Sequence, residues 1–171
     1  MSTVQKYYGK YRGKVLNNID PEQIGRLLVQ VSDVTGLAPS SWAMPCFPFT
    51  GTQMGAYMLP QIGTGVWVEF EQGNPDYPIW SGCWYGSAAD VPALALAGNP
   101  ASPNIVLQTT LQNAIVVSDL PGPTGGIMLK STTGATIIVN DTGIYIQNGK
   151  GASIIMTGLT VNINTGALTI V

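Results

Sequence analysis

Histidine is absent from the chain. That removes imidazole general acid–base catalysis, Ser-His-Asp and Cys-His nucleophiles and His-ligated metal sites within one chain. Charge is scarce as well: Asp, Glu, Lys and Arg make up 9% of the residues, against roughly 25% in ordinary soluble domains. Much of the surface must then be Ser, Thr, Asn, Gln and Gly, or be covered by partner subunits. The two cysteines, Cys46 and Cys83, form no close-spaced motif and are expected as free, buried thiols rather than a disulfide. No apolar run approaches the roughly 18–20 residues that cross a bilayer, and MSTVQKYYGK has no apolar signal core. Synthesis in the cytoplasm is the resulting expectation. Amphipathic helical period is missing too, which leaves strands as the material of the fold.

What is present falls into two halves of different grammar. From Tyr7 to about Gly86, short alternating runs are divided by turn clusters: KYYGKYRGKVL, then NNIDPEQIG as a turn, then RLLVQVSD from Arg26 to Asp33. A long stretch from Thr35 to Gly63, broken by proline and glycine, is expected to wrap as loop with one short strand near Met44 to Phe49. Two further strands, Gly65 to Glu71 and Pro78 to Tyr85, are joined by QGNPDY, whose Gly, Asn and Pro suit a tight reversal. About five strands in this length suit a small antiparallel barrel such as the oligonucleotide/oligosaccharide-binding fold, over residues 1–86. Lys6, Lys10, Arg12 and Lys14 would share one strand face. They are candidates for contact with nucleic acid or an acidic partner, or simply a solvated outer face.

Residues 87–104, SAADVPALALAGNPASPN, are small and Pro-rich and predict a linker or an extended crossing segment. Beyond them, Gly126, Gly134, Gly143, Gly151, Gly158 and Gly166 are spaced by 8, 9, 8, 7 and 8 residues. Such repeats predict a stacked, quasi-one-dimensional architecture over 105–171. Apolar residues alternate between the glycines: Ile137 and Val139, Ile144 and Ile146, Ile154 and Met156, Leu159 with Val161 and Ile163, Leu168 and Ile170. Period two means strands with one apolar face. The glycines would turn the corners, where positive φ is needed. No helix or second sheet remains to cover that face. Left wet, about a dozen aliphatic side chains would forfeit on the order of 20–35 kcal/mol per chain. Three identical copies about one axis, as an intertwined triple-stranded β-helix, are the simplest cover. A single-chain β-helix fits an eight-residue step less well.

The stretch from Ser40 to Gly86 resembles the barrel of contractile-tail spike proteins: the gene-5-like and baseplate assembly protein V families of phages and the valine-glycine-repeat spikes of type VI secretion. The similarity runs through Ser41-Trp42, Gly51 and Gly55, Leu59-Pro60 with Gly63, Val66 to Glu71, Gly73-Asn74-Pro75, and Pro78-Ile79 with Gly82. It implies an all-β homotrimer in which an N-terminal barrel forms a collar and a C-terminal needle of eight-residue repeats forms the spike. It implies a phage tail baseplate as the setting, a hub protein above, and a target membrane met only by mechanical piercing. The trimer interface would then run through Ile137, Val139, Ile144, Ile146, Ile154, Met156, Leu159, Val161 and Ile163, and the hub would meet Lys6, Lys10, Arg12 and Lys14. Some family members carry a lysozyme domain between barrel and needle, for which residues 87–104 have no room. Others bind iron through tip histidines, which are missing here. A separate tip protein, of the proline-alanine-alanine-arginine repeat kind, would instead sit on Leu168, Ile170 and Val171.

No catalytic residue, metal site or cofactor is expected. Glu69 and Glu71, on one face of a strand, would stand about 7 Å apart, a separation found in inverting glycosidases. Catalysis needs them on opposite sides of a sugar, and here they would project in parallel. Trp67, Trp80 and Trp84 with Tyr77 and Tyr85 could stack bases. The same segment carries Glu69, Glu71 and Asp76 and no Lys or Arg, so phosphate would be repelled. GIMLKSTTG lacks the order of a phosphate loop, and Asp119 and Asp141 suit turns better than calcium. The competing functions are an oligonucleotide- or polysaccharide-binding barrel and a trimeric surface-glycan hydrolase, whose only needle carboxylates would be Asp119 and Asp141.

Overall fold

The structure, a computed structural model, describes residues 5–170. It forms two compact units that meet in sequence at Ala88 and Ala89.

The first unit contains β1 (Tyr11–Asn17), β2 (Leu28–Gln30), a single helical turn α1 (Ser32–Thr35), β3 (Met44–Pro45), β4 (Thr50–Gly51), β5 (Met54–Gly55), β6 (Gly65–Phe70) and β7 (Pro78–Trp84). Five strands lie in the order β2-β1-β6-β7-β3, antiparallel except for the parallel β3–β7 pair. The two edges are drawn together just before β3. The Leu27 and Ala43 amides exchange hydrogen bonds of 3.1 and 2.8 Å, and Ser40 N–H donates to the Val29 carbonyl at 2.8 Å. A small barrel results, with no long edge left open.

Alternation decides what fills it. In β6, Val66, Val68 and Phe70 point inward while Trp67 and Glu69 point outward; β1 sends Gly13 and Val15 inward and Arg12 and Lys14 outward. The core joins Val15, Leu27, Val29, Val31, Ala43, Val66, Val68, Phe70 and Trp80. Trp80 lies edge-on to Phe47 at 5.5 Å, and its indole N–H donates to the Gly25 carbonyl at 3.0 Å. A buried indole donor needs such a partner.

Several expectations are corrected. Strand β2 is shorter than the expected Arg26 to Asp33, because Asp20 gathers the chain before it and a helical turn begins at Ser32. Strand β3 stops at Pro45, with Pro48 close behind; proline has no N–H to extend a ladder. Glu69 and Glu71 do not share a strand face. Strand β6 ends at Phe70, and Glu71 opens a tight helical turn, Glu71–Gly73, in which Gln72 takes φ 52°. Cys46 and Cys83 are free, as expected, but exposed rather than buried.

The second unit begins with short helical turns, including α2 (Ala93–Leu96), and a tight turn at Asn99–Ser102. The Asn104 amide donates to the Leu94 carbonyl at 2.8 Å, so this segment is folded onto itself rather than extended. Eight strands follow: β8 (Ile105–Gln108), β9 (Ala114–Ser118), β10 (Gly126–Lys130), β11 (Thr136–Asn140), β12 (Gly143–Gln147), β13 (Ser153–Thr157), β14 (Thr160–Ile163) and β15 (Leu168–Ile170). Each pairs antiparallel with the next, giving one meander from β8 to β15. In one respect this differs from an intertwined ladder. Strands β9 to β14 pair on both edges with neighbours of the same chain, so the hydrogen bonds close within the chain rather than around three chains.

Turn chemistry is repetitive. Loops at Thr109, Ser131 and Asn148 are each closed by the same bond, residue i N–H to the carbonyl of i+4, at 3.0, 2.9 and 3.1 Å. Asn140 and Asn148 accept backbone N–H groups on their side-chain oxygens within the turn, the local bonding that suits Asn to turns. All six periodic glycines adopt positive φ. At Gly126 (φ 84°) a Cβ would also run into the Val139 carbonyl of the neighbouring strand, so the position needs glycine on two counts.

Candidate assembly faces

Antiparallel register turns the alternation of the meander into columns. Ile105, Val117, Ile127, Val139, Ile144, Met156 and Val161 succeed one another across the strands, and Leu107, Ile115, Leu129, Ile137, Ile146, Ile154, Ile163 and Leu168 do the same beside them. The register places the Ile170 backbone opposite Val161. Two continuous aliphatic columns therefore cover one face of the ribbon. Among the described residues they stay open: Ile105, Leu107, Ile127 and Leu168 keep between 51% and 68% of their surface exposed, and Ile146 and Ile154 more than a third. A face this large and apolar marks an assembly surface.

The structure brings together eight of the residues expected at the trimer interface: Ile137, Val139, Ile144, Ile146, Ile154, Met156, Val161 and Ile163. Leu159 is not among them. It sits in the two-residue turn between β13 and β14, 95% exposed. The upstream members of the columns, from Ile105 to Leu129, escaped sequence reasoning because it counted repeats from the first periodic glycine. The same two-residue alternation was present at Ile105/Leu107, Ile115/Val117 and Ile127/Leu129. Of the expected tip residues, Leu168 continues a column and is exposed; Val171 lies outside the described residues.

The barrel presents a second face, on the outer side of β1, β6 and β7. Register sets Arg12 across from Trp67 and Lys14 across from Gly65, which in turn lies across from Trp84. The Arg12 guanidinium stands 5.1 Å from the Trp84 ring and 5.8 Å from the Trp67 ring, and the two indoles are 6.4 Å apart. Trp84 lies flat on Gly65, where any Cβ would collide with the indole. Cation and aromatic faces attract here through the ring quadrupole. Sequence reasoning considered Gly65 to Gly86 alone and found tryptophans without basic neighbours; strand β1 supplies them.

The four basic residues do not form one stripe. Lys10 precedes β1 and bonds Glu69 at 3.1 Å and Ser81 at 2.8 Å. Lys6 lies beside the Glu71–Gly73 turn. Arg12 and Lys14 have no carboxylate partner among the described residues. A further charged group, unforeseen, is structural: buried Asp20 takes the Arg26 guanidinium at 2.7 and 3.0 Å and the N–H groups of Glu22, Ile24 and Arg26. The Arg26 bond, with these backbone donors, holds the Asp20 carboxyl well below the usual carboxylate range against the opposing effect of burial.

Among the described residues no group of His, Cys, Asp or Glu could hold a metal, and no helix is long and apolar enough to cross a membrane. A closed barrel joined to a ribbon whose aliphatic face is uncovered defines a structural assembly protein, one that acts by the surfaces it offers to other chains. Residues 11–85 match the family model of the type VI secretion system/phage-baseplate injector OB domain, and residues 104–169 that of the phage baseplate V C-terminal trimerisation domain. The two matches together cover most of the chain, which belongs to this baseplate spike family, and both matched domains are structural rather than catalytic. It is similar to two type VI secretion system spike proteins of Pseudomonas aeruginosa. VgrG4b is 38% identical over 31% of this chain and 7% of its own length; VgrG5 is 34% identical over 47% of this chain and 11% of its own length. The chain thus spans a small part of these relatives.

Proposed function

We propose that three copies of the chain form the central spike of a phage tail baseplate or a related contractile injection apparatus. The barrels make a collar that docks on a hub protein. The ribbons turn their aliphatic columns inward as the three sides of a needle. That needle carries the force of the contracting sheath onto the target envelope, and its mechanism is stiffness: the ladder of each ribbon is closed within its chain, and a dry aliphatic interior makes separation of the three expensive. A separate tip protein covers the apolar far end at Leu168, Ile170 and Val171. The spike belongs to the virion and is assembled in the bacterial cytoplasm.

The observation that supports this reading best is the pair of aliphatic columns, continuous from Ile105 to Leu168 and uncovered in one chain, within a segment matching a trimerisation domain. Native mass measurement tests it, together with the resistance of the oligomer to detergent at room temperature. A trimer that survives detergent is expected, whereas a stable monomer would sink the needle.

A further inference from the structure

The outer face of β1, β6 and β7 is rich in hydrogen-bond donors and short of acceptors. Arg12 and Lys14 lack a carboxylate among the described residues, and the Trp84 indole N–H is buried without an acceptor. Glu69, the one carboxylate on that face, is taken by Lys10. Arg12 is also held in place: two indoles fix its guanidinium, and Gly65 leaves room for Trp84 beneath it. A planar guanidinium already immobilised loses little freedom when it binds a carboxylate in bidentate fashion. Stacking of bases is disfavoured, because Arg12 stands over both rings.

The same barrel carries the complementary feature. The reversal between β6 and β7 exposes Glu71, Asp76 and Tyr77, and neither carboxylate has a basic partner among the described residues. We propose that in the assembled trimer the Glu71–Tyr77 reversal of one barrel docks on the Arg12, Lys14, Trp67 and Trp84 face of the next. The contact is head-to-tail and closes after three copies. It rests on the spike reading for the trimer itself: a trimerisation domain on the same chain holds the barrels at an effective concentration in the millimolar range, where a modest contact forms.

A disulfide reports the contact directly. Lys14 is exposed on the outer face, in the row of Gly65 and Trp84, and Asp76 stands in the reversal two residues before β7. Within one chain the two lie toward opposite ends of β6, roughly 15–20 Å apart by strand rise, far beyond the roughly 7 Å between Cα atoms that a disulfide spans. The full chain carrying Cys46→Ser, Cys83→Ser, Lys14→Cys and Asp76→Cys, oxidised with copper phenanthroline, is expected to run as a covalent trimer on a denaturing non-reducing gel. Leaving out Lys14→Cys should abolish the link, and adding Arg12→Glu should weaken it several-fold. A native trimer that gives no link, or a link that persists without Lys14→Cys, overturns the docking while leaving the spike reading intact. A monomeric wild-type chain would overturn both. Binding of an oligothymidylate by the wild-type trimer, lost on Arg12→Glu, would assign the face to phosphate instead.

Discussion

Tryptophans that look alike in the sequence are separated by one residue's parity in a strand. Trp80 points into the barrel, where it fills the space between Phe47 and the aliphatic core and satisfies the Gly25 carbonyl. Trp67 points out and touches Arg12. Trp80→Ala should therefore lower stability to urea by about 3–5 kcal/mol, and Trp67→Ala by about 1 kcal/mol or less; equal losses would contradict the assignment of faces. Asp20 makes a different claim on stability. Its carboxyl is held below the ordinary range by Arg26 and three backbone N–H groups. Above about pH 4, the ordinary carboxylate value, the group is charged in folded and unfolded chains alike and its stabilisation is complete. As pH falls below that value the unfolded chain takes up a proton that the folded chain resists, and stability drains away. Melting temperatures of the wild type should drop between pH 4 and pH 2. Asp20→Asn should melt lower at pH 7 and show a shallower acid decline; a parallel decline would place the linked proton elsewhere.

Within the ribbon, period two and glycine spacing were legible in the sequence because both are demanded locally. A half-buried strand must alternate, and a corner at positive φ must be glycine or pay in strain. What was not legible is pairing across distance. Nothing in Gly65 to Gly86 says that β1 will lie beside β6, so the meeting of Arg12 with Trp67 and Trp84, and the loss of the apparent argument that no base accompanies those rings, required the register. Leu159 misled for a related reason: it continues the alternation of Val161 and Ile163 by position, yet the two-residue turn after Gly158 takes it out of the ladder. Likewise Glu71 continues the alternation of Glu69, but the chain reverses one residue earlier. The columns yield a sharp expectation for the element. Ile146→Asp places three carboxylates inside the proposed needle, where an unpaired charge costs several kcal/mol. That variant should sediment as a monomer or aggregate, whereas Thr157→Asp, exposed and on the other face of the ribbon, should remain a trimer. Trimeric Ile146→Asp would mean that the columns do not face the axis.

For the molecule as a whole, the two units differ in what makes them stable. The barrel has a closed core of its own, from Val15 to Trp80, entirely within residues ending at Ala88. The ribbon has hydrogen bonds of its own but an apolar face whose residues stay largely exposed. Folding of the ribbon should accordingly be linked to association, and folding of the barrel should not. Removal of residues 104–171 is expected to leave a monomer that still unfolds cooperatively, at a midpoint independent of protein concentration. The full chain should show an additional transition whose midpoint rises when the protein is made ten times more concentrated, because three unfolded chains must meet to form one needle. Calorimetry at two concentrations distinguishes the cases. A ribbon transition indifferent to concentration, measured under reversible conditions, would mean that a single chain buries its own columns, and a truncated barrel that stays trimeric would move the assembling power from the ribbon to the collar.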